Sequence, residues 1–503
     1  MRDYQQINTT ILDIEKSFPV ESLVYRDIPL WPVIRQQLAH ILFWESSIAP
    51  VSGMDILRSI PSFPARVCHA VTDYAATSML RGKFESTSKV LFLTAGFEYI
   101  PFEGAYYNKF LDPVKELLDR RGVTYSDVEF GFAGKEYSPK HFRTIDLRKP
   151  VGLLSKMARF GPPDFSCSEK NNLANFVEHC AAHHRLSIDA PDIMLHAARI
   201  SSLSKLFVKV LSALQPQVCM YVCYYQDATM ALAHACYSRG IRAMEIQHSV
   251  ICEDDWNWCK WTAIPAKGYS TLPDMFWTWG EIYSEMLECW QRHPGTNLQP
   301  CVGGNLWIWK WRQAADLDVP ESTSRLRATG RTVLYTVPYG DIHLISEWFP
   351  PEFTDAVRNS PGSWKWHVRL HYKSDKELLQ KVEQHFRQLG LNLFVHHADE
   401  HLLYHLFSLI DVHISQTCST VVEAEAFGLP NLILGEVGRA WYHREIESGS
   451  YGYAKNADEL LAFVRDAKKS PLGNRKRIIT DTLSAETLLD ELSLYGGTRE
   501  VSA

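Results

Sequence analysis

The sequence predicts an α/β protein with two doubly wound, Rossmann-like domains, and three observations support this prediction. Apolar runs alternate with amphipathic helical segments after about residue 330, as in a parallel sheet covered by helices. Earlier in the chain, "QVCMYVCYY", a helical segment and "IRAMEIQ" form a strand–helix–strand pattern. The length of 503 residues also exceeds what a single core usually organises.

The C-terminal half has the clearest alternation. Short apolar runs favour strands, and the segments between most of them have helical spacing. The predicted strands are "TVLYTVP", "WKWHVRL", "LNLFVHH", "LIDVHIS" and "PNLILG"; the helices are "SDKELLQKVEQHFRQLG", "DEHLLYHLFSL" and "STVVEAEAFG".

The N-terminal half begins differently. Residues 1–85 have helical spacing, as in "IPLWPVIRQQLAHILFW", and are predicted to be a helical extension packed on the first domain. The first α/β domain is predicted over 86–295, a linker over 296–330, and the second domain with closing helices over 331–503. Residues 248–280 are rich in Trp, Pro and Asp and are predicted to be a long loop, a feature that is often functional.

Composition excludes several classes of protein. The net charge of −6 and pI near 6.4 do not suit a general nucleic-acid binder. The N-terminus lacks the pattern of a signal peptide, and no apolar run is long enough to span a bilayer. We therefore expect a cytoplasmic protein that does not bind nucleic acid.

A cluster of hydroxyl-bearing residues follows the strand "LIDVHI". Ser419 and Thr420 are predicted at the start of the next helix, where free N–H groups and the helix dipole suit a phosphate. Glu423, one turn further on, could accept hydrogen bonds from a ribose diol. Helix capping by the hydroxyls and dipole compensation by Glu423 are the simpler alternatives.

A second group of donors follows the strand "WKWHVRL". Arg369, His371 and Lys373 lie at or after its end. Alternation places Arg369 and His371 on one face of the strand, from which both could reach a ligand. An exposed basic strand end is the alternative.

These motifs carry a resemblance. "VRLHYK" and "SQTCSTVVEAEAFGLP" resemble the nucleotide-binding half of GT-B-type bacterial glycosyltransferases of capsule and lipopolysaccharide assembly. The similar families are the polysialyltransferases, the Kdo transferases and the CDP-glycerol-dependent teichoic acid polymerases. The resemblance implies two Rossmann-like domains facing a cleft, with His371, Ser419 and Thr420 holding the donor phosphate. Tyr372 stands where those families have proline.

The loop that begins with "EIQHSV" resembles the Gln-His-Gly loop of the same families, with Ser249 in place of glycine. His248 is the candidate general base, because histidine titrates near neutral pH. Asp254 and Asp255 could act as base or as nucleophile in a double displacement. Glu103, in an earlier Gly-rich loop, is a further carboxylate candidate. A structural histidine and a solvated acidic turn are the alternatives.

Other motifs give little support for different chemistry. His397, His401 and His405 have helical spacing, but an amphipathic helix explains them better than a metal site. The sequence contains no HExxH, P-loop or G-x-S-x-G motif. We expect no metal and no cofactor, since the basic residues and a helix N-terminus can neutralise the donor phosphate.

The sequence thus predicts a glycosyltransferase that moves a sugar from a nucleotide-sugar donor, with CMP-linked sugars among the candidates. The resemblance implies an acceptor that is a surface polysaccharide or a lipid-linked glycan, held by the first domain, and a peripheral association with the inner membrane or an assembly complex. A nucleotide-sugar epimerase, a polyol-phosphate transferase and a catalytically silent glycan-binding or scaffold protein are the alternatives.

Overall fold

The computed structural model describes most of the chain. The described residues are 4–44, 78–80, 82–84, 86–131, 139–158, 165–291, 298–313, 320–337, 345–371, 374–397, 403–470, 478–479 and 481–494. They form two compact units, one made of residues 1–304 with 482–503 and the other of residues 305–481.

The first unit is built on a seven-stranded sheet with the order β11-β10-β9-β8-β3-β6-β7, in which all neighbours are parallel. Two small antiparallel hairpins, β1–β2 and β4–β5, accompany it. The strands are β1 (Val24–Tyr25), β2 (Ile28–Pro29), β3 (Val90–Thr94), β4 (Tyr99–Phe102), β5 (Ala105–Asn108), β6 (Tyr125–Glu129), β7 (Ile145–Asp146), β8 (Val218–Tyr221), β9 (Arg242–Ile246), β10 (Met275–Thr278) and β11 (Gln299–Val302).

Helices cover both faces of a parallel sheet, which explains why its central strands are buried along their length. All five residues of β3 are buried, as are all four of β8 and of β10. The helices are α1 (Tyr4–Ser17), α2 (Trp31–Trp44), α3 (Asp112–Arg120), α4 (Arg148–Met157), α5 (Cys167–His184), α6 (Ala190–Leu214), α7 (Asp227–Arg239) and α8 (Glu281–Gln291), with short 3-10 turns at Val20–Ser22 and Gly96–Glu98.

The second unit has a six-stranded parallel sheet with the order β14-β13-β12-β15-β16-β17. From β12 the chain adds β13 and β14 on one side of the sheet, and then returns to add β15, β16 and β17 on the other side. This is the doubly wound order. The strands are β12 (Thr332–Thr336), β13 (Lys365–Arg369), β14 (Phe394–His396), β15 (Val412–Ser415), β16 (Asn431–Ile433) and β17 (Gly452–Tyr453).

The core of the second unit lies between this sheet and its helices. Tyr335, Phe353 and Trp366 are among its largest buried side chains. The helices are α9 (Leu306–Gln313), α10 (Glu321–Ser324), α11 (Ile345–Trp348), α12 (Pro351–Asn359), α13 (Lys376–Gln388), α14 (Leu403–Leu409), α15 (Thr420–Ala426), α16 (Gly435–Trp441), α17 (His443–Glu447) and α18 (Ala457–Asp466). Gly428 follows α15 at φ +72°, and a Cβ there would lie 1.8 Å from the carbonyl oxygen of Ser470, so only glycine fits.

The two parallel sheets confirm the predicted fold class, but the units divide at other residues than expected. Part of the segment predicted as a linker (296–330) is a strand of the first sheet: β11 (Gln299–Val302) pairs with Met275–Thr278 of β10. β10 itself lies within the predicted loop 248–280. Its "MFWT" is a fully buried strand, which was predicted as part of a loop because the surrounding segment is rich in Trp, Pro and Asp.

The last helix, α19 (Leu483–Glu491), belongs to the first unit and not, as predicted, to the second. Its Glu486 forms an ion pair with Arg121 at 2.7 Å. Lys89 donates to the carbonyl oxygen of Leu494, just beyond the helix, at 2.9 Å. These contacts explain why residues 482–494 pack with the first sheet.

A buried ion pair joins the N-terminal helices to the long aromatic loop. The Arg35 and Glu15 side chains are both fully buried, 3.2 Å apart. Arg35 also donates to carbonyl oxygens of the loop at Trp256, Cys259 and Lys260, and Glu15 accepts from Trp31 and Thr262. The N-terminal helices therefore fix the path of residues 256–262.

Breaking this pair should destabilise the protein strongly. We expect Glu15→Gln to lower the free energy of unfolding by about 3–5 kcal/mol, since it leaves the Arg35 charge buried without its counter-ion. Chemical denaturation measures the change, and limited proteolysis should cut within 252–262 faster. The matched control is Glu321→Gln, which removes the exposed pair with Arg325 and should change little. Equal stability of the two variants would contradict the role given to the buried pair.

Candidate functional site

A buried carboxyl group organises the carboxyl edge of the first sheet. Glu245 in β9 is fully buried and accepts the backbone N–H groups of Cys223 and Tyr224, each at 3.1 Å. Burial raises the pKa of Glu245 well above its usual range, although the two N–H groups oppose the shift. Cys223 has φ +58°, so the chain turns sharply after β8 and presents both amides to Glu245.

His248 lies beside this carboxyl group, two residues after β9 ends. Its Nδ1 is 3.6 Å from Glu245 Oε1, and its Nε2 is 3.1 Å from the Tyr225 hydroxyl and 3.2 Å from Cys223 Sγ. Burial raises the pKa of Tyr225 well above its usual range, so the phenol keeps its proton. This arrangement suits a histidine with a proton on Nδ1 facing Glu245 and an accepting Nε2.

Gln247 fixes the backbone on which His248 stands. Its side-chain oxygen accepts the N–H of Trp279 at 2.7 Å, and its amide nitrogen donates to the carbonyl oxygen of Ser249 at 2.8 Å. The indole of Trp279 in turn donates to the Gln247 carbonyl oxygen at 2.8 Å. The His248 side chain is 14% exposed, which leaves it accessible to a proton donor from solution.

Asp254 and Asp255 have structural partners within the loop. Asp254 forms an ion pair with Lys260, and its carbonyl oxygen accepts from Asn8 at 2.6 Å. Asp255 accepts the N–H of Asn257 at 2.8 Å, and its burial raises the pKa of its carboxyl to about 6. The Asp255 charge also contributes to the raised pKa of Glu245, so it lies near the His248 cluster without a hydrogen bond to it in the described part of the chain.

Glu103 lies elsewhere in the first unit. It is exposed in the two-residue turn of the β4–β5 hairpin, with φ +48°, and is followed by Gly104 at φ +77°. Two positive φ angles are those of a type I′ hairpin turn. No hydrogen bond within the described ranges connects Glu103 to His248.

The second unit presents hydroxyl and basic groups at the carboxyl ends of its strands. Thr336 of β12 is in register with Arg369 of β13 on one side and Ser415 of β15 on the other. The strand order reverses between β12 and β15, and this is the position at which doubly wound sheets bind ligands. Ser419, Thr420 and Glu423 follow β15, which flanks the reversal, whereas Arg369 and His371 lie at and after the end of β13, the neighbour of β12 on its other side.

A buried hydrogen-bond network lies under this position. His413 Nδ1 is 2.7 Å from Asn431 Oδ1, and its Nε2 is 2.9 Å from the Thr336 hydroxyl. Asn431 also donates to the carbonyl oxygen of Val421 at 3.0 Å, which identifies its Oδ1 as the acceptor for His413. Burial lowers the pKa of His413 to about 4, so the ring is neutral at neutral pH.

The network engages one of the two predicted phosphate-binding hydroxyls. Thr420 is the first residue of α15, and its hydroxyl lies 2.6 Å from that of Thr336. Ser419 precedes the helix, and its side chain makes no capping hydrogen bond. Of the pair, Thr420 faces the buried network, which leaves Ser419 as the hydroxyl available to a ligand.

Arg369 and Glu423 both lie near Tyr404. The Tyr404 hydroxyl donates to Glu423 Oε2 at 2.7 Å, and Glu423 is 9% exposed. Burial raises the pKa of Tyr404 well above its usual range, and the nearby Arg369 charge opposes the shift. His371 is half-buried, two residues beyond the end of β13. Lys373 and His401 lie outside the described residues.

Several of these residues were missed from the sequence. Glu245, Tyr225 and Cys223 around His248 were not predicted, and neither were His413 and Asn431. A carboxylate within the apolar run "AMEI", three residues before His248, was a visible signal for Glu245. No local sequence pattern indicates the positive φ of Cys223 or the pairing of His413 with Asn431.

No group of three or more His, Cys, Asp and Glu side chains in the described ranges is arranged to hold a metal ion. None of the helices in those ranges combines the length and apolarity needed to cross a bilayer.

Comparison with known proteins gives similarity at the level of structure. No family model and no curated protein matches the sequence. The UDP-GlcNAc 2-epimerase of Methanocaldococcus jannaschii has a TM-score of 0.48 at 12% identity, over 81% of this chain and 99% of its own. The epimerase of Neisseria meningitidis, bound to UDP-GlcNAc, has a TM-score of 0.47 at 12% identity, over 80% and 98%.

The wall teichoic acid polymerase TagF is also similar, with a TM-score of 0.44 at 9% identity, over 86% of this chain and 93% of its own. At these levels of identity and superposition, the likenesses assign no activity to this chain. The resemblance to polysialyltransferases and Kdo transferases stays a prediction.

The His413 network predicts a pH dependence of stability. The folded pKa of about 4 lies below the usual value of 6.5, so protonation favours the unfolded chain. The stabilisation is complete above about pH 6.5 and is lost as the pH falls towards 4, by about 3 kcal/mol in all. Denaturation of the wild type and of His413→Gln between pH 7 and about 4 measures it.

The His413→Gln variant should be less stable at pH 7 but should show a shallower pH slope. His385→Gln, on helix α13 of the same unit, is the control and should keep the wild-type slope. A wild-type slope in the His413 variant would contradict the assignment.

Proposed function

We propose that the protein is a glycosyltransferase that moves a sugar from a nucleotide-activated donor to a glycan or lipid-linked acceptor, with His248 as the general base. The observation that supports this most directly is the placement of His248. One ring nitrogen faces the buried Glu245 carboxyl group, and the other, within 3.2 Å of two protein donors, can accept a proton.

The proton transfer follows from this arrangement. As the acceptor hydroxyl attacks the anomeric carbon, its proton passes to His248 Nε2, and the bond from that carbon to the donor phosphate breaks. The Nδ1–H remains directed at a Glu245 oxygen, which holds the ring in orientation as Nε2 gains its proton. Tyr225 and Cys223, which contact Nε2, have to yield this nitrogen to the acceptor hydroxyl.

The second unit is proposed to hold the donor. Arg369, His371 and Lys373 would supply positive charge and hydrogen-bond donors to the phosphates, and Ser419 would supply a hydroxyl. Glu423 is proposed to accept from the ribose diol, with its second partner, Tyr404, fixing its orientation. These groups can stabilise the departing phosphate electrostatically, so the proposal includes no metal and no cofactor.

The setting of the reaction is part of the same proposal. A lipid-linked acceptor would bring the enzyme to the inner face of the membrane. We propose a cytoplasmic protein associated peripherally with the inner membrane or an assembly complex.

His248→Ala should lower turnover by about 10²–10⁴-fold, the usual contribution of one general base. The donor dissociation constant should change little, because the proposed donor ligands belong to the other unit. The measurement is transfer of labelled sugar to acceptor, with binding followed by calorimetry. His183→Ala, an exposed histidine of α5, is the matched control.

Three carboxylate variants separate the base from a nucleophile. Full activity of His248→Ala, with loss in Asp254→Asn or Asp255→Asn, would replace the base mechanism by a double displacement. Full activity of His248→Ala, Asp254→Asn and Asp255→Asn, together with loss of activity in Glu103→Gln, would place the catalytic group on the β4–β5 hairpin. Donor consumption without an acceptor-linked product would indicate an epimerase.

His371→Ala should weaken donor binding by about 1.5–3 kcal/mol, or about 10- to 150-fold, because one charge-assisted phosphate contact is lost. A thermal-shift screen of CMP-, UDP-, GDP- and TDP-sugars identifies the donor, and calorimetry then gives the dissociation constant. His385→Ala, on α13 of the same unit, should bind the donor as the wild type does. An unchanged constant in His371→Ala would remove this residue from the donor site.

A further inference from the structure

A second candidate binding site lies in the first unit, apart from the residues around His248. It is a cavity of about 410 Å³ between the β1–β2 hairpin, α6 and α7. Cationic and hydroxyl-bearing side chains dominate its polar lining: Arg26, Lys205, Lys209, Ser201, Ser204 and Ser238.

Helical spacing explains why α6 contributes most of these groups. Ser201, Ser204, Lys205, Val208 and Lys209 are three or four residues apart, so they share one face of the helix. That face presents two ammonium groups and two hydroxyls to the cavity.

Arg26 reaches the cavity from the tip of the β1–β2 hairpin. Its φ of +58° places it in a tight turn, and its backbone N–H donates to Glu169 of α5. The guanidinium carbon lies 5.2 Å from the centre of the Tyr25 ring. A cation–π contact and an anchored turn therefore hold this third cation in place.

The floor of the cavity is polar and buried. Ser204, which lines the cavity, is 7% exposed. His234, also 7% exposed, is 2.9 Å from the Ser270 hydroxyl and 3.5 Å from Asp27. Burial lowers the pKa of His234, so at neutral pH the imidazole is uncharged.

The charges of the lining favour an anion. Three cations face one carboxylate, Asp27, among the described residues that line the cavity, and the Asp27 side chain is 79% exposed. Ile28 and Val208 add apolar wall. The volume lies within the range of small-molecule sites, about 300–1,000 Å³, and is larger than a phosphate ion requires.

We propose that this cavity binds a small phosphorylated ligand, with its phosphate group held by Arg26, Lys205 and Lys209 and its organic part against Ile28 and Val208. Lysine and arginine are the usual partners of phosphate, and serine hydroxyls complete its hydrogen bonds. The inference does not depend on the proposed transfer reaction.

Calorimetric titration of the full-length protein tests the site, with glucose 1-phosphate, inorganic phosphate and glucose as probes. We expect saturable binding of both phosphates, tighter for glucose 1-phosphate, and none for glucose. Lys205→Gln combined with Lys209→Gln should weaken glucose 1-phosphate binding about tenfold or more, because two charged contacts are lost. Added salt should weaken it as well.

Two controls make the result specific. Lys170→Gln removes an exposed lysine of α5 and should bind as the wild type does. The titrations are repeated in a His371→Ala background, which separates this cavity from the proposed donor site. Hydrogen exchange should show protection of residues 24–29 by glucose 1-phosphate.

The inference is overturned if the wild type shows no saturable phosphate binding, or if the double lysine variant binds as tightly as the wild type. Equal affinities for glucose 1-phosphate and inorganic phosphate would overturn the role given to Ile28 and Val208. Circular dichroism and the unfolding midpoint of the double variant establish that it is folded.

Discussion

The buried carboxyl group of Glu245 is the constraint on which the first candidate site depends. It accepts the N–H groups of Cys223 and Tyr224, and so fixes the sharp turn after β8. The same group faces His248 Nδ1, and the turn that it fixes places Cys223 and Tyr225 against the other ring nitrogen. One side chain within a strand thereby determines the position, tautomer and surroundings of the proposed base.

The second unit uses a buried polar side chain in a comparable way. His413 lies in β15, accepts from Thr336 of β12 and is held by Asn431 of β16, so it joins three adjacent strands. Thr420 connects this network to the start of α15. In both units a buried polar side chain within a strand forms hydrogen bonds near the carboxyl edge of the sheet. The cost of burying such a group is offset by its hydrogen bonds.

Features that depend on a local sequence pattern could be predicted from the sequence. Strands β8 and β9 of the first sheet and β12 to β16 of the second followed from apolar runs, and His248 and Ser419 were proposed as site residues because each lies shortly after a strand. Cys223 and Tyr225 were missed as partners of His248 because they precede it by more than 20 residues, and no local pattern pairs them. β10 and β11 were missed because their Trp, Pro and Gly content resembles that of loops. The position of α19 could not be predicted, since no local pattern specifies which sheet a terminal helix joins.

The position of α19 has a consequence for synthesis of the protein. The first unit consists of residues 1–304 and 482–503, so its last piece leaves the ribosome after the whole second unit. At about 5–20 residues per second, the interval between residue 304 and residue 494 is roughly 10–40 s. During that time Lys89 and Arg121 lack their C-terminal partners, and the surface that α19 covers is open to solvent. The nascent first domain thus has an exposed surface that a chaperone could protect until translation ends.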